Sequence, residues 1–578
     1  MRWISLLAAL ALSAAAAAAA WWVADRPVPV AAEWRQPLAS VSFAPFRRGE
    51  SPLTKMYPTR QQIERDLAAL VGRAAGLRTY TAREGLEVVP ELAARLGLKV
   101  TFSAWLGGEA ATNDAELTAL ITAANKYPEA IQRVIVGNEV LLRRDLPPDK
   151  LIAAIRRVKA AVRQPVSTAD VWAYYLKYPE VAREVDFLTI HILPFWEDQP
   201  VAVDRIEPYV VGIVAQLRQA FPGKPILIGE SGWPSLGRDR GSAVVDVVNE
   251  ASFVRQMANI AARHGFDYNI VEAFDQPWKS ALEGTVGAAW GILDEARHPK
   301  FAMTGPVPMV ADWPLRAGYA IALGVLASLA LSWRLSGFRQ CLTLALAAQI
   351  LAWLLVTTLF HVEAVIFGPK DYAWAVLRIG LPAVLFIAML TRCRDWLAKP
   401  DLALQGALAS AEGAPFAINP WRGQGLMLFC ALYAMVWTAL LLFDGRYRDI
   451  PEFDFAVPVG GLAVMLGLRL TLTLGQGGQA IAALCWDGLF PGSHRRAIRL
   501  LAWCLPLAAL AALTSEGVAV IGEDFRSIYP ALADRLPVVL TAMIANREMN
   551  LWAAMLMLWG LPFALARRTL AREAAMPA

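Results

Sequence analysis

Two short segments of the sequence are alike, and each places a glutamate directly after an apolar run. They are VIVGNEVLLR at residues 134–143, which contains Glu139, and PILIGESGWPSLG at residues 225–237, which contains Glu230. An apolar run this short is typical of a parallel strand buried on both faces, and the residues after such a strand lie at the catalytic end of a βα barrel. Two carboxylates that reach that end from different strands form the pair that cleaves glycosidic bonds.

The chemistry of such a pair requires two different protonation states. In cleavage with retention, a protonated carboxyl donates to the leaving oxygen while an ionised one attacks the anomeric carbon. Repulsion between the two charges raises the pKa of the acid and favours its protonated form. Asn138 is placed to bind a sugar hydroxyl, and Trp233 to pack beneath a sugar ring. Either glutamate alone is more simply a surface charge or a helix cap, but their shared setting favours catalysis.

Strand and helix patterns alternate through the first half of the chain, with strands expected at residues 41–46, 77–80, 98–105, 134–137, 165–170, 187–192, 225–229 and 268–274. This rhythm predicts an α/β fold, a (β/α)8 TIM barrel, with a doubly wound open sheet as the alternative. Glu139 and Glu230 then end strands four and seven, because they are about 90 residues apart, the length of three βα units.

One helix of this pattern has a clear start. Residues 59–62 (TRQQ) have the spacing of a capping box. The apolar residues that follow recur at helical spacing and predict one buried face, formed by Ile63, Leu67, Leu70 and Val71.

Composition indicates a membrane part beside the globular one. The chain is 56% hydrophobic, and its mean hydropathy is +0.40. Residues 1–22 predict a signal anchor or a cleaved signal peptide, with the anchor favoured, and residues 23–37 a linker. We expect the barrel at residues 38–305 and an all-α polytopic transmembrane domain of about seven helices at residues 313–570. The expected spans lie near residues 315–333, 340–360, 373–391, 425–443, 456–474, 498–514 and 550–566.

Charge predicts the orientation of these spans. With residue 1 in the cytoplasm, the loops rich in Lys and Arg all fall on the cytoplasmic side, as the positive-inside rule requires. This predicts a bacterial inner-membrane protein whose catalytic domain is periplasmic. Residues 480–490 are expected to be interfacial and residues 536–544 re-entrant, while Arg378 and Arg469 are expected to snorkel to the headgroups.

Several classes of function are disfavoured. All five cysteines follow residue 340, so the globular half has no disulfide or thiolate metal site. The sequence contains no Gly-rich phosphate loop, zinc helix or EF-hand pattern, and we expect neither a metal nor another cofactor. The net charge of +5 reflects basic residues that lie largely between the apolar spans, so no nucleic-acid partner is expected.

The motifs together resemble glycoside hydrolase family 17, the β-1,3-glucanases and glucanosyltransferases. VGNE and IGESGWPS carry the resemblance, and further matches lie at SFAPF (42–46), LRTY (77–80), DFLTIHILPFW (186–196) and EAFDQPWK (272–279). The resemblance covers roughly residues 38–305 and implies a TIM barrel with Glu139 as acid/base and Glu230 as nucleophile. Gln276 departs from the family, in which many members have an acid after the aspartate.

Further site residues follow from these motifs and from positions at strand ends. The candidates for substrate binding are Asn138, Trp233, Trp278, Trp196, Tyr80, Asp275, Lys279 and Trp105. Core packing is the alternative for the tryptophans. His191 is more simply a structural histidine, and Arg78 either orients a carboxylate or pairs on the barrel rim.

The combination of such a barrel with many spans is similar to bacterial membrane-anchored proteins of β-(1,3)/(1,6)-glucan synthesis. This similarity favours transglycosylation of periplasmic β-glucan. The partners expected are the β-glucan oligo- or polysaccharide itself, a lipid bilayer and a membrane partner of glucan synthesis. A membrane-tethered endo-β-1,3-glucanase is the alternative enzyme, and a glucan transport or scaffold protein is the alternative from another class. A nucleotide-sugar synthase is disfavoured because the largest cytoplasmic loop, about residues 395–424, is too small for a donor-binding domain.

Overall fold

The computed structural model describes residues 2–404, 424–489, 495–521 and 525–575. It divides into two compact units. One combines the residues up to Arg26 with those from Val310 onward, and the other extends from Pro27 to Met309. Most of the loop expected at residues 395–424, and residue 490 of the segment expected to be interfacial, lie outside the described residues.

The unit from Pro27 to Met309 contains eight parallel strands that close into a barrel in sequence order. The predicted TIM barrel is therefore confirmed, and the open sheet is excluded because the first strand also pairs with the eighth. The strands are β1 (Val41–Ser42), β2 (Gly76–Arg78), β3 (Lys99–Ala104), β4 (Ile131–Asn138), β5 (Val166–Val171), β6 (Leu188–His191), β7 (Ile226–Ser231) and β8 (Asp267–Ile270).

Helices follow the strands around the barrel. The chain begins with α1 (Arg2–Asp25), which belongs to the other unit. The helices of the barrel unit are α2 (Arg60–Leu70), α3 (Val89–Leu96), α4 (Ala110–Lys126), α5 (Pro148–Lys159), α6 (Trp172–Lys177), α7 (Pro179–Glu184), α8 (Ile206–Ala220), α9 (Val247–His264) and α10 (Ser280–Ala288).

Helix α2 shows how local sequence signals set these elements. Thr59 and Gln62 form the predicted capping box, in which each side chain accepts from the backbone of the other. Three of the four apolar residues predicted on its inner face are buried. The prediction for Val71 is wrong, because this residue ends the helix and is exposed.

The first and last strands are shorter than predicted. β1 ends at Ser42 and β8 ends at Ile270. Beyond β8 the backbone alternates between the barrel and another segment. Val271 N and Ala273 N still donate to Ser231 O of β7 and Ser42 O of β1, whereas Glu272 N donates to Trp290 O at 2.8 Å and Asp275 N donates to Leu293 O at 3.0 Å. The EAFDQPWK motif thereby forms a loop at the catalytic end of the barrel.

The segment expected as a linker is fixed along the barrel unit. Val28 and Val307 exchange two backbone hydrogen bonds of 2.8 and 2.9 Å. The buried Arg255 of α9 donates to Val30 O and to Gly305 O. The chain therefore enters and leaves this unit as two paired segments, both held by one arginine.

The other unit is all helical. Its remaining helices are α11 (Trp313–Leu331), α12 (Phe338–Ala364), α13 (Pro369–Ala398), α14 (Asp401–Leu404), α15 (Gln424–Asp444), α16 (Ala456–Gly475), α17 (Ala480–Leu484), α18 (Trp486–Leu489), α19 (Arg495–Val520), α20 (Phe525–Ile528), α21 (Leu532–Ala545) and α22 (Arg547–Ala575). Among the described residues, eight helices are long and apolar enough to cross a membrane. They coincide with the segments predicted as spans, including the N-terminal one.

The two arginines expected to snorkel instead have partners inside the unit, Arg378 while partly exposed and Arg469 while fully buried. Arg378 Nε lies 2.8 and 2.9 Å from the two carboxylate oxygens of Asp454, which the loop before α16 supplies. Arg469 is 1% exposed and donates to three backbone carbonyl oxygens, those of Ala403, Ala483 and Cys485. Snorkelling is wrong for both, because partners inside the unit satisfy each guanidinium.

The hydrogen bonds of Arg469 to Ala483 O and Cys485 O predict that this arginine holds the short helix α17 in place. In Arg469→Ala three carbonyl oxygens lose a charged donor, which costs roughly 1–3 kcal/mol for each buried acceptor left unpaired. We expect Cys485, now 7% exposed, to react several-fold faster with N-ethylmaleimide, as measured by peptide mass spectrometry of the full chain in detergent. Thr471→Ala is the control, because Thr471 lies on the exposed face of α16, the helix that also contains Arg469. Equal Cys485 labelling in wild type and Arg469→Ala would contradict this account.

Candidate active site

Glu139 is carried by a tight turn directly after β4. Its φ is +52°, in the left-handed region that few residues other than glycine adopt, and Gly137 has a φ of +84°. A Cβ on Gly137 would lie 2.5 Å from Val140 Cγ2, so only glycine fits there. Glu139 N donates to Ala169 O of β5 at 2.7 Å. The turn leaves the Glu139 side chain 23% exposed at the barrel mouth.

Glu230 lies within the last residues of β7, and its side chain is 11% exposed. The residue before it is a glycine for a steric reason, because a Cβ on Gly229 would lie 2.4 Å from Thr189 Cγ2 and 3.2 Å from Arg78 Nη1. The absence of that side chain lets the Arg78 guanidinium reach Glu230 from inside the barrel. Arg78 Nη1 lies 3.3 Å from Glu230 Oε1 and 2.8 Å from Gly229 O.

The barrel brings the two carboxylates together. One atom each of Glu139, His191 and Glu230 can be chosen so that all three lie within 4.8 Å of one another. Both carboxylates therefore face one small space at the C-terminal end of the barrel. A separation of about 5 Å suits a nucleophile and an acid/base, whereas inverting pairs are roughly 6.5–9.5 Å apart.

His191 lies between the two glutamates. Its Nδ1 is 2.8 Å from Glu139 Oε1, and its Nε2 is 3.5 Å from Glu230 Oε1. The ring is 1% exposed. His191 is therefore buried and hydrogen-bonded, as expected of a structural histidine, and in addition each of its ring nitrogens faces one of the two carboxylates.

The electrostatic environment of Glu139 also differs from the expectation. Burial acts to raise the pKa of Glu139, but the hydrogen bond to His191 and the positive charges of His191, Arg143 and Arg78 outweigh it. The pKa of Glu139 is consequently lowered from its ordinary value. Repulsion between the carboxylates is expected to raise the pKa of the acid. At Glu139 the three neighbours His191, Arg143 and Arg78 outweigh that effect.

Arg78 is a buried organiser of the site and does not lie on the barrel rim. Its Nη2 donates to Asn138 Oδ1, and its guanidinium carbon lies 4.9 Å from the centre of the Tyr80 ring. Tyr80 in turn donates to Ser42 Oγ at 2.9 Å. Burial, with the charge of Glu230, raises the pKa of Tyr80 well above its ordinary value, so this hydroxyl stays protonated.

The cluster of Glu139, His191 and Glu230 has the donor types of a divalent metal site. However, Arg78 Nη1 is 3.3 Å from both His191 Nε2 and Glu230 Oε1. A divalent cation on these ligands would lie against a guanidinium, which electrostatic repulsion opposes. The arrangement therefore favours acid–base chemistry of the carboxylates over metal binding.

The prediction that Trp233 packs beneath a sugar is wrong. Trp233 is fully buried and stacks on Phe253 with ring centres 5.7 Å apart. Its Nε1 donates to Val244 O at 2.9 Å. The strand-end position in the sequence could not reveal that α9 covers this ring.

The other three tryptophans are partly exposed. Trp196 stacks on Trp290 with ring centres 6.2 Å apart. Trp278 donates from Nε1 to Gln276 Oε1 at 2.9 Å. Gln276, the residue that departs from the family pattern, thus helps to position this ring. Trp105 is 38% exposed, and the Arg143 guanidinium carbon lies 4.1 Å from its ring centre. One face of Trp105 is thus covered by the arginine.

The two charged candidates from the eighth-strand motif are already paired. Asp275 Oδ1 accepts from Lys300 at 2.9 Å and from Gly291 N at 2.8 Å, which favours a structural role over substrate binding. Lys279 Nζ lies 2.6 Å from Glu272 Oε1. Burial raises the pKa of Glu272 to about 7 despite this lysine.

Sequence reasoning missed three acidic groups near the pair. Glu272 is fully buried. Burial and the charges of Glu230 and Glu139 raise the pKa of Glu283, in spite of Lys279. Asp170, at the end of β5, is 2% exposed. A strand-end position was the one available signal for Asp170 and Glu272, whereas Glu283 lies in α10 and carried none.

Comparisons with known proteins match the barrel unit. A sequence model of the BtgE/BtgC glycoside hydrolase domain matches residues 40–291. The glucan 1,3-beta-glucosidase of Schizosaccharomyces pombe is 31% identical over 236 residues, 37% of this chain and 73% of the relative. The glucan 1,3-beta-glucosidase of Arthroderma benhamiae is 28% identical over 256 residues, 41% of this chain and 83% of the relative.

A similar solved structure is the glycoside hydrolase family 17 beta-1,3-glucanosyltransferase of Rhizomucor miehei. It is 28% identical, the match covers 46% of this chain and 95% of that chain, and the TM-score is 0.41. The sequence matches agree with the resemblance inferred from the motifs.

The turn that carries Glu139 yields a stability prediction. In Gly137→Ala and Gly223→Ala a side chain meets a positive φ, of +84° and +78°, which costs about 1 kcal/mol. Only at Gly137 does the new Cβ also overlap a neighbour, at 2.5 Å, whereas nothing lies within 4 Å at Gly223. We expect the thermal midpoint of the barrel to fall by about 2–4 °C in Gly223→Ala and by clearly more in Gly137→Ala. Equal midpoints in the two variants would contradict the tight turn.

Proposed function

Because the chain belongs to the BtgE/BtgC family of glycoside hydrolases, we propose that it is a retaining β-glucan glycosidase and transglycosylase that works by double displacement. The proposed donor is a β-1,3-linked glucan, and the proposed acceptor is a hydroxyl of a second glucan chain. The product is a remodelled or newly built β-(1,3)/(1,6)-glucan. Glu139 is the proposed acid/base and Glu230 the proposed nucleophile.

One observation carries this proposal: carboxylate oxygens of Glu139 and Glu230 lie within 4.8 Å of each other. At this separation a carboxylate can reach the anomeric carbon directly, and no room remains for a water between the carboxylate and the sugar. The short distance thus supports retention over inversion.

In the first half of the reaction a Glu230 oxygen attacks the anomeric carbon as the glycosidic bond breaks. Glu139 gives its proton to the departing oxygen, and the leaving chain departs with a free hydroxyl. Arg78 limits the negative charge at Glu230 before the attack, and Asn138, held by Arg78, offers its amide to a sugar hydroxyl. His191 holds the Glu139 carboxyl at 2.8 Å and so fixes the direction of the proton transfer.

In the second half Glu139 acts as a base. It takes the proton of an incoming hydroxyl whose oxygen attacks the anomeric carbon, and the bond to Glu230 breaks. Because the pKa of Glu139 is lowered from its ordinary value, Glu139 loses its proton already in acidic solution. We therefore expect kcat/KM to be highest at acidic pH and to decrease as the pH rises through the lowered pKa of Glu139, well before neutrality.

The identity of the acceptor separates two candidate functions. A sugar hydroxyl gives transglycosylation, and water gives a membrane-tethered endo-β-1,3-glucanase. The names of the two relatives, both glucan 1,3-beta-glucosidases, favour a β-1,3-glucan donor and keep hydrolysis as the second candidate. A transport or scaffold role without catalysis would leave the paired carboxylates unexplained.

The proposed location is a bacterial inner membrane, with the barrel on the periplasmic side. The eight apolar helices support membrane insertion, and the positive-inside rule supports this orientation. The interaction with a glucan-synthesising membrane partner stays a prediction.

The assignment of the pair is tested with Glu139→Gln and Glu230→Gln in the full chain. Each replacement removes the proton transfer or the nucleophile, and we expect turnover of laminaripentaose to fall by at least about a hundredfold. Glu184→Gln, at the surface on α7 and paired with Arg156, is the control with normal turnover. Normal turnover in either active-site variant would refute the assignment.

The acceptor is identified from the products of wild-type enzyme over time. Transfer predicts oligosaccharides longer than the laminaripentaose donor early in the reaction, detected by mass spectrometry. Shorter products alone, at donor concentrations up to the millimolar range, would mean that water is the acceptor and that the chain is a hydrolase.

A further inference from the structure

The turn that carries Glu139 is held by a carboxylate from the neighbouring strand. Asp170 lies near the end of β5 and is 2% exposed. Its Oδ2 accepts from Leu141 N at 3.0 Å, and its Oδ1 accepts from Val171 N at 2.9 Å. One buried carboxylate thereby joins the turn after β4 to β5.

This contact completes the restraint of an unfavourable backbone conformation. Glu139 has a φ of +52°, and such a conformation persists only where the surroundings fix it. Glu139 N is held by Ala169 O, and two residues later Leu141 N is held by Asp170. The bonds lie on both sides of Val140, so they fix the rotation of the turn and hence the direction of the Glu139 side chain.

Asp170 has charged or titratable neighbours on three other parts of the barrel. Asp170 interacts with Glu139 after β4, His191 on β6 and Tyr175 on α6. Burial raises the pKa of Asp170 to about 6; the charge of His191 and the amide hydrogen bonds oppose this, and the charge of Glu139 adds to it.

Glu139 has further charged neighbours of its own. They are His191, Arg143 and Arg78, which are positive or can become so, and Glu283, which is acidic. Asp170, whose pKa is raised to about 6, is uncharged at the pH at which Glu139 binds its proton, so it acts on Glu139 through the turn and not through its charge.

We propose that Asp170 is a positioning residue for Glu139: its carboxyl group fixes the turn that aims Glu139 at the leaving oxygen. This inference rests on the proposed role of Glu139 as acid/base. Asp170 acts through Glu139 and does not touch the substrate, because its side chain is buried behind the turn.

The test compares wild type with Asp170→Asn, a replacement of the same shape that removes the charge and keeps one oxygen for Leu141 N. Two substrates are used, laminaripentaose and 2,4-dinitrophenyl β-laminaribioside. The second has a leaving group that departs without protonation. We expect kcat for laminaripentaose to fall roughly ten- to a hundredfold, and the rate of glycosyl-enzyme formation from the aryl substrate to change less than threefold.

The dependence on the leaving group supplies the readout that a purely structural role would not give. A misdirected Glu139 slows only the substrate whose leaving oxygen must be protonated, whereas a general loss of structure slows both. The basic limb of kcat/KM is expected at the same pH in Asp170→Asn and in wild type, because Asp170 is already protonated where Glu139 loses its proton. His191→Asn removes a neighbour whose hydrogen bond and charge lower the pKa of Glu139, and should move the same limb upwards.

Asp186→Asn is the matched control. Asp186 also accepts a backbone amide of β5, from Val166 N at 2.8 Å, but at the opposite end of the strand. We expect wild-type kcat and an unmoved basic limb. Laminaritriose binding, measured by intrinsic fluorescence, should stay within about twofold of wild type in both variants.

The outcomes separate this inference from the proposed function. An equal loss on both substrates, a loss of laminaritriose binding or a basic limb that moves in Asp170→Asn would overturn the positioning role. Glu139→Gln is measured with the same two substrates. If its defect does not depend on the leaving group, the acid/base assignment itself fails. If it does depend on it while Asp170→Asn behaves as wild type, only the inference about Asp170 fails.

Discussion

Two carboxylates held within 4.8 Å of each other in a largely buried site repel strongly. The side chains around them in the barrel offset this repulsion. Arg78 reaches Glu230 from inside the barrel, and His191 lies between the two glutamates. These positive or proton-bearing groups offset the free-energy cost of burying two negative charges in a low-dielectric interior. The same compensation lowers the pKa of Glu139. One cluster therefore sets both the charge balance of the site and the protonation of Glu139.

This solution requires an unusual barrel interior. Bulky branched residues fill most TIM barrels, but here small polar residues surround the buried guanidinium, and Asn269 donates to Ser42 Oγ and to Gly229 O. Gly229 leaves the space that Arg78 occupies, and Gly137 permits the turn that presents Glu139. The site is therefore part of the barrel core, and substitutions in that core would be expected to change its chemistry as well as its stability.

The sequence predicted the barrel and the glutamate pair because both depend on local patterns: apolar runs, their spacing and the residues that directly follow them. It failed where tertiary contacts decide. Trp233 has a strand-end position but is covered by α9, and His191 lies in an apolar strand that gives no sign of its two carboxylate partners. Arg378 could not be paired with Asp454 by sequence alone, because the partner lies in a distant loop. Asp170 was not singled out, because nothing local shows that a backbone amide of the next turn needs its oxygen.

The central claim, that Glu230 attacks the sugar while Glu139 manages the proton, is tested most directly by trapping the intermediate. The full chain is incubated with 2-deoxy-2-fluoro-β-laminaribiosyl fluoride and is then digested for mass spectrometry. The fluorine at C2 slows both steps, but the good fluoride leaving group keeps the first step fast enough for the glycosyl-enzyme to accumulate. The account predicts a single covalent sugar on the peptide that contains Glu230, at the Glu230 carboxylate. A sugar attached to Glu139 or Glu272 instead, or inactivation without any covalent adduct, would contradict it.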